Sequence, residues 1–230
     1  MKVVAVIPAR ADSKRLPRKN ILKLGGITLI DRSINFARKL KFIDDIVIST
    51  DDSYIIKKNR KKKFLKVFNR SKNLSGKNVK TIDVLIDVIK EYEKNFDRIE
   101  TILLLQATSP FRSKKKIYYA YKKYKEFKKI KSIISVSENN STEGRKFDIK
   151  NSNLYHSRNA DIYKKKIYKV NGNYYIASSD FLKKNKSFYF KKKTFPVILK
   201  SPCLSVDIDT RKDLLMAKSF LGKTLEDLNE

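Results

Sequence analysis

"VVAVIPARADSKRLPRKNI", residues 3–21, decides the fold. It opens with the unbroken apolar run Val3–Ile7, short and rich in β-branched residues. Such a run predicts a strand buried on both faces, as in the middle of a parallel sheet. The chain then turns abruptly basic, placing Arg10, Lys14, Arg15, Arg18 and Lys19 close together. Cations held this near one another repel unless an anion lies among them. A triphosphate is the obvious anion, and backbone N–H groups of the loop can add to its binding. A plain solvent-exposed basic turn is the competing reading. Pro8, Pro17 and Asn20 restrict the loop directly after the strand, which favours the anion site. No Walker-type GxxxxGK[ST] run is present.

Outward from this stretch, strand-like and helix-like segments alternate. "TLIDRSINFARKL" (28–40) has apolar residues at helical spacing, and "DIVIST" (45–50) reads as the next strand. A lysine-rich helix and "KVF" (66–68) follow. "KTIDVLIDVIKEYEK" (80–94) is a long amphipathic helix, and "TILLLQ" (101–106) is apolar enough to be a central strand. "SKKKIYYAYKKYKEFKK" (113–129) predicts a helix with Ile117, Tyr121, Tyr124 and Phe127 or Ala120 inward, before the strand "SIISVS" (132–137). This rhythm implies βαβ units: an α/β chain with a mostly parallel sheet and helices on both sides. Ligands of such sheets bind beyond the carboxyl ends of the strands. The loops at 8–20, 49–52, 106–112 and 135–140 should therefore gather on one edge.

After residue 138 the rhythm breaks. Residues 138–166 are polar, without a clear period, and read as an insertion in a single domain spanning 1–230. Order returns with "YKVNGNYYIAS" (168–178) and a short helix at 179–184. "TFPVIL" (194–199) and "SVDID" (205–209) are expected strands, and "TRKDLLMAKSFL" (210–221) a closing amphipathic helix.

Composition bounds the function. With 230 residues, 41% hydrophobic, 13 Phe and 12 Tyr, the chain can bury a sizeable core. No apolar run approaches the roughly 18 residues of a membrane span. The start lacks a signal-peptide layout, so a cytoplasmic location is expected, with no membrane partner. A single cysteine, Cys203, excludes an internal disulfide framework and a cysteine-rich zinc site. The single histidine, His156, is read as structural rather than as a base. The net charge of +30 invites a nucleic-acid reading. The excess is mostly lysine in scattered runs such as "KKNRKKK" (57–63), which fits a solvated surface better than a base-reading groove.

Three further places carry chemistry. Asp207 and Asp209, two apart on an expected strand, would share one face, and the pair repels unless a cation such as Mg²⁺ sits between. The same residues could instead cap the last helix. Gln106 ends the most apolar strand, where a polar side chain needs a partner, either a ligand or a neighbouring loop. Asn171–Gly172 sets a side-chain amide beside a glycine, which is also the pattern of a tight hairpin turn.

Together these stretches resemble a family. "IPARADSKRLPRKNI" (7–21) resembles the opening signature of the acylneuraminate cytidylyltransferases, the CMP-sialic acid synthetases and their bacterial relatives for legionaminic- and pseudaminic-type sugars. "LLLQATSPFR" (103–112) resembles their LLQPTSPLR, "NGNYYI" (171–176) their NGAIYI, and "SVDIDTRKDL" (205–214) their DIDT-x-x-DL. The four motifs come in the family's order along nearly the whole chain. The resemblance implies a three-layer αβα Rossmann-like nucleotidyltransferase fold with a mostly parallel mixed sheet. It implies transfer of CMP from CTP to a nine-carbon 2-keto acid sugar, with Mg²⁺ as cofactor. It also implies a homodimer built through 138–166, and no nucleic-acid partner.

By resemblance, Arg10 and Lys19 would hold the CTP phosphates, Asn20 would place the nucleotide, and Ser13 and Lys14 would line the loop. Arg70 and Thr81 would contact the cytidine. Gln106 would lie between nucleotide and sugar, Asn171 would bind the sugar, and Arg158 its carboxylate. Asp207 and Asp209 would hold the metal. Several positions depart from the family pattern. Ala11-Asp12 replaces a common Gly-Gly, narrowing the backbone angles and adding a negative charge near the phosphates. Ala107 replaces proline, Asn173 replaces alanine, and Lys169 falls where arginine is frequent. The 3-deoxy-manno-octulosonate cytidylyltransferases open similarly, but carry Ser-Thr-Arg-Leu-Pro and Lys-Pro where this chain has Ser13-Lys14-Arg15-Leu16-Pro17 and Lys19-Asn20. A basic nucleic-acid-binding α/β domain is the alternative from another class.

Overall fold

The first strand, β1 (Lys2–Pro8), sends Val4 and Val6 to one side and Ala5 and Ile7 to the other, and all four are fully buried. A strand can do this only if both its faces are covered. In a computed structural model, which describes residues 2–76, 78–139, 146–157 and 166–222, both faces are covered by helices.

A 3-10 turn (Lys19–Ile21) and the small hairpin β2 (Lys23–Leu24) and β3 (Ile27–Thr28) lead into α1 (Leu29–Arg38). There follow β4 (Asp45–Thr50), α2 (Ser53–Asn59), β5 (Leu65–Asn69), α3 (Lys72–Ser75), α4 (Thr81–Asn95), β6 (Ile99–Leu104), α5 (Lys114–Glu126) and β7 (Ser132–Glu138). The rest comprises β8 (Phe147–Lys150), β9 (Asn153–His156), β10 (Tyr168–Ser178), α6 (Ser179–Asn185), β11 (Thr194–Ile198), a second 3-10 turn (Pro202–Ser205) and α7 (Arg211–Ser219).

The main sheet runs β11-β7-β10-β6-β1-β4-β5. Its pairs are parallel except around β10, which lies antiparallel between β6 and β7. One face carries Ala5, Ile7, Ile48 and Leu103 against Ile30, Ile34 and Ala37 of α1, Ile55 of α2 and Ile117 and Ala120 of α5. The opposite face carries Val4, Val6, Val47 and Ile102 against Leu85, Val88 and Ile89 of α4 and Leu182 of α6. This is the expected α/β architecture, with three layers and a mostly parallel mixed sheet.

The helices begin where local chemistry supplies acceptors for their first N–H groups. Thr28 accepts from Asp31 N–H, Asp52 from Tyr54 and Ile55, and Ser113 from Lys116. Thr210 and Asp213 form a reciprocal capping box at α7. In α5, Ala120 rather than Phe127 turns inward, and Phe127 lies exposed beyond the helix end.

Two sequence expectations need correction. Residues 205–209 are not a strand. Pro202 lacks a donor and starts a 3-10 turn, after which Ile208 N–H bonds Thr108 O (2.8 Å) across the end of the sheet. Asn171–Gly172 is not a hairpin turn but lies inside β10, where the register against β7 shifts between Val170 and Tyr175. Gly172 has φ +77° there. Within 138–166, the described residues include the hairpin β8–β9, packed with Ile134, Val136 and Tyr189 in a small core of its own. His156 closes that core, its ring 4.6 Å from Phe147 and 4.5 Å from Tyr189.

Candidate functional site

The carboxyl ends of β1, β4 and β6 converge on one edge, tied together by backbone bonds. Ala9 N–H donates to Ser49 O (2.9 Å), Arg70 N–H to Thr50 O (2.8 Å), and Leu105 N–H to Val6 O (3.0 Å). At this edge lies a hollow of about 300 Å³. Arg10, Lys19, Asn20, Arg70, Thr81, Gln106, Asp207 and Asp209 all line it.

The opening loop is pinned at several points. Asn20 is buried and donates through Nδ2 to Arg10 O (2.9 Å). Ala11 N–H donates to Asp51 Oδ1 (2.7 Å), so this N–H is already committed to a carboxylate. Arg18, at φ 51°, reverses the chain into the 3-10 turn that carries Lys19. Lys19 Nζ reaches Asp209 Oδ1 (2.6 Å), and Arg15 bonds the other oxygen of that carboxylate. Two of the loop's five cations, Arg15 and Lys19, thus meet an anion supplied from the far end of the chain, Asp209. Ser13 is buried and Lys14 exposed, and neither lines the hollow.

On the next wall, buried Arg70 bonds Ser49 through Nε to Oγ (3.2 Å) and Nη2 to O (2.7 Å). Burial holds its pKa below the usual guanidinium value; Asp51 and Asp87 oppose this and Arg10 adds to it. Thr81 stands at the first position of α4, and Arg10 Nη1 crosses to Gly76 O (3.2 Å).

The acidic pair sits opposite the loop. Ile208 is buried, which turns its neighbours Asp207 and Asp209 to the hollow together. The shared facing expected of a strand thus arises from extended chain without a strand. Asp207 opens to solvent through the hollow, yet protein surrounds it on the other sides. Burial raises its pKa, the charges of Asp209 and Asp213 push the same way, and a Thr108 hydrogen bond and Lys19 counter them. Asp207, disfavoured as a carboxylate where it stands, and Asp209 beside it are hard oxygen donors that fit a small divalent cation bringing phosphate and water ligands of its own. Among the described residues no cluster of three or more His, Cys, Asp or Glu exists to form an all-protein cage.

Asp207 also borders a second, larger hollow of about 870 Å³, lined by Ser137, Lys166, Tyr168, Lys169 and Lys200. Asn171 lines neither hollow; its Oδ1 accepts from Ser135 Oγ (2.7 Å), and its Nδ2 is buried without a partner. Arg158 lies outside the described residues. Gly172 lies against Gln106, and a Cβ there would meet Gln106 Oε1 at 2.5 Å. Gly172→Ala should therefore cost about 1–2 kcal/mol for the left-handed backbone and push the Gln106 amide aside. Thermal unfolding should show a drop of that size; an unchanged melting temperature would mean that the Gln106 amide yields without cost.

Sequence reasoning missed the Ala11–Asp51 bond and the Arg15 and Lys19 pairs with Asp209, because their partners are remote in the chain. It also missed Asp213, which accepts from Asp209 N–H (3.0 Å) and Thr210 N–H (2.7 Å) and so fixes the acidic segment. That signal was readable, since Thr210-x-x-Asp213 has capping-box spacing.

Comparison with known proteins bears on the same edge. The chain is 33% identical over 232 residues to a CMP-N,N'-diacetyllegionaminic acid synthase of Legionella pneumophila, covering 99% of this chain and 100% of that protein. It is 32% identical over 231 residues to a pseudaminic acid cytidylyltransferase of Campylobacter jejuni, covering 95% of each. Its fold matches that of a CMP:2-keto-3-deoxy-manno-octonic acid synthetase solved with CTP, at a TM-score of 0.76 and 17% identity, over 97% of this chain and 99% of the other. A sequence model of the cytidylyltransferases matches residues 4–229. A match of that extent settles membership: the chain belongs to the cytidylyltransferase family.

Proposed function

We propose that this chain activates a nine-carbon 2-keto acid sugar of the sialic, legionaminic or pseudaminic type, using CTP to form a CMP-sugar and pyrophosphate. The observation that carries the reading is a hollow in which a cationic loop faces two carboxylates. The relatives named above supply the sugar class.

In this reading CTP occupies the smaller hollow. Arg10 and Lys19 take the phosphates and stabilise charge building on the leaving pyrophosphate. Arg70, Thr81 and Asn20 hold the nucleoside end, and Ser13 and Lys14 shape the loop from behind. The sugar enters the larger hollow, which meets the smaller one at Asp207. Lys169 and Lys200 line that hollow together with Glu138, Asp207 and Asp213, so in this reading the sugar carboxylate faces the two lysines rather than the acidic side. Gln106 stands between the two substrates, Asn171 supports the sugar wall, and Arg158 is assigned to the sugar carboxylate. Positioning and charge neutralisation are what phosphoryl-type transfer asks of a protein. The sugar's anomeric hydroxyl attacks the α-phosphorus in line and pyrophosphate departs. Asp207 and Asp209 would hold Mg²⁺, which when bound polarises phosphate oxygens and lowers the pKa of a coordinated hydroxyl.

A panel of these sugars with CTP and Mg²⁺, followed by pyrophosphate release, tests the reading. Turnover with one of the nine-carbon acids is expected; turnover only with the eight-carbon 3-deoxy-manno-octulosonate would overturn the sugar class. The use of CTP suits a cytoplasmic enzyme. We also assign a homodimer through residues 138–166. Light scattering should then report twice the mass of the 26.9 kDa chain, and a monomer would remove that assignment.

A further inference from the structure

We propose that Asn173, backed by Arg112, is a positioning residue for the transfer: it locks the Gln106 loop and the segment leading to Asp207 onto β10. The inference rests on the cytidylyl-transfer reading for its kinetic consequence, but not for its structural one.

Asn173 is buried in the irregular part of β10. Its Nδ2 spends both hydrogens on backbone carbonyls from two other segments, Phe111 O (2.8 Å) and Leu204 O (2.7 Å). Its N–H donates to Asn171 Oδ1 (3.2 Å), and its own carbonyl accepts from Arg112 Nε (3.3 Å). Arg112 is buried too, and among the described residues no carboxylate pairs with it. Its other contacts are Nη2 to Gln106 O (2.5 Å) and Nη1 to Ser33 Oγ (3.2 Å). Two buried donors thus aim at carbonyls of three segments that do not otherwise form a ladder. One ends in Gln106, at the wall of the smaller hollow; another runs through Leu204 to Asp207, three residues on. Both sides of the transfer site are thus tied to β10 by these two side chains, in addition to the Ile208–Thr108 backbone bond that joins the two segments directly.

Stability alone is a poor account of this residue. Asn173 Oδ1 is buried with no partner, and an unpaired acceptor is unfavourable. Among the described residues Arg112 is a buried cation met by neutral oxygens and the Phe36 ring, 5.9 Å away, an arrangement that fixes direction more than it adds energy. The two groups hold separate chain segments in register, as supporting residues do around a reacting centre.

The test uses N173A and N173L, the second keeping the branched outline at a larger volume while removing both donors, with R112K as a third variant that keeps the charge. Amide hydrogen exchange is compared over 106–112 and 203–209, and steady-state kinetics are run well below each variant's melting temperature. Faster exchange in both segments, with β1 and β4 unchanged, is expected. With it, kcat should fall about 10- to 100-fold while the KM for CTP stays near the wild-type value. Unaltered exchange in 203–209, or a kcat that follows only the unfolded fraction, would overturn the proposal. If N173A does not fold, N173L and R112K decide it. If the wild type shows no CTP turnover, the function proposed above falls, and the exchange result still decides whether Asn173 locks the two segments.

Discussion

Asp207→Asn should abolish turnover and leave the fold as stable as before, or more so, at neutral pH. The two expectations have one cause. Burial and the neighbouring charges of Asp209 and Asp213 disfavour the Asp207 carboxylate, so its pKa in the folded chain lies above the unfolded value. Below the unfolded pKa the group is protonated in both states and makes no difference. As pH rises from there through the folded pKa, the unfolded state gives up its proton first, and stability is lost. The amide cannot ionise, so that loss disappears in the variant. Thermal unfolding without divalent ions, measured from acid to neutral pH, should show the wild type falling relative to Asp207→Asn. The same carboxylate is what a divalent ion would bind, so kcat/KM should drop by at least about 100-fold, the scale of losing one charge-stabilising group. Asp209→Asn should lose activity comparably. Its stability should fall modestly, because it loses the sheltered Lys19 pair as well as the Arg15 pair, and the latter's exposed partner contributes only about 0–1 kcal/mol. Normal turnover by either variant would remove the acidic pair from the chemistry.

Lys19→Ala should raise the CTP requirement with less effect on the sugar. Lys19 Nζ is the more sheltered of the two cations on Asp209, at 15% side-chain exposure against 66% for Arg15. A charge-assisted bond to phosphate at such a site is worth roughly 1.5–3 kcal/mol, which corresponds to about a 10- to 100-fold rise in KM for CTP. Arg15→Ala should do far less, since water already screens that side chain. Lys19 is held by Asp209, so phosphate must compete with a carboxylate for it. Unchanged CTP dependence in Lys19→Ala would place the phosphates elsewhere.

Much of the fold was legible because its cause is local. Val3–Ile7, the strand at 45–50 and the strand at 101–106 are apolar on both faces, and only a sheet with two helical layers can bury such strands. The helix starts were marked by Thr28, Asp52, Ser113 and Thr210. The hairpin β8–β9 was not legible, since its four-residue strands are too short and polar to show a period. The strand expected at 205–209 failed because alternating apolar residues also suit extended chain lying over a loop, and only tertiary neighbours distinguish the two. At the site, the residue types and their gathering at one edge followed from the strand order. The pairing of Lys19 and Arg15 with Asp209, and of Ala11 with Asp51, depended on contacts no local pattern encodes. The Ala11-Asp12 departure has a partial answer in that last contact. Both residues keep negative φ, and the Ala11 N–H is directed at Asp51 rather than into an open cradle.

The measurement that bears most directly on all of this is a crystal structure of the chain grown with CTP. The triphosphate should lie between Arg10 and Lys19, with Lys19 drawn off Asp209 and the cytidine against Arg70 and Thr81. A nucleotide bound elsewhere, with the Lys19–Asp209 pair intact and the hollow empty, would contradict the account.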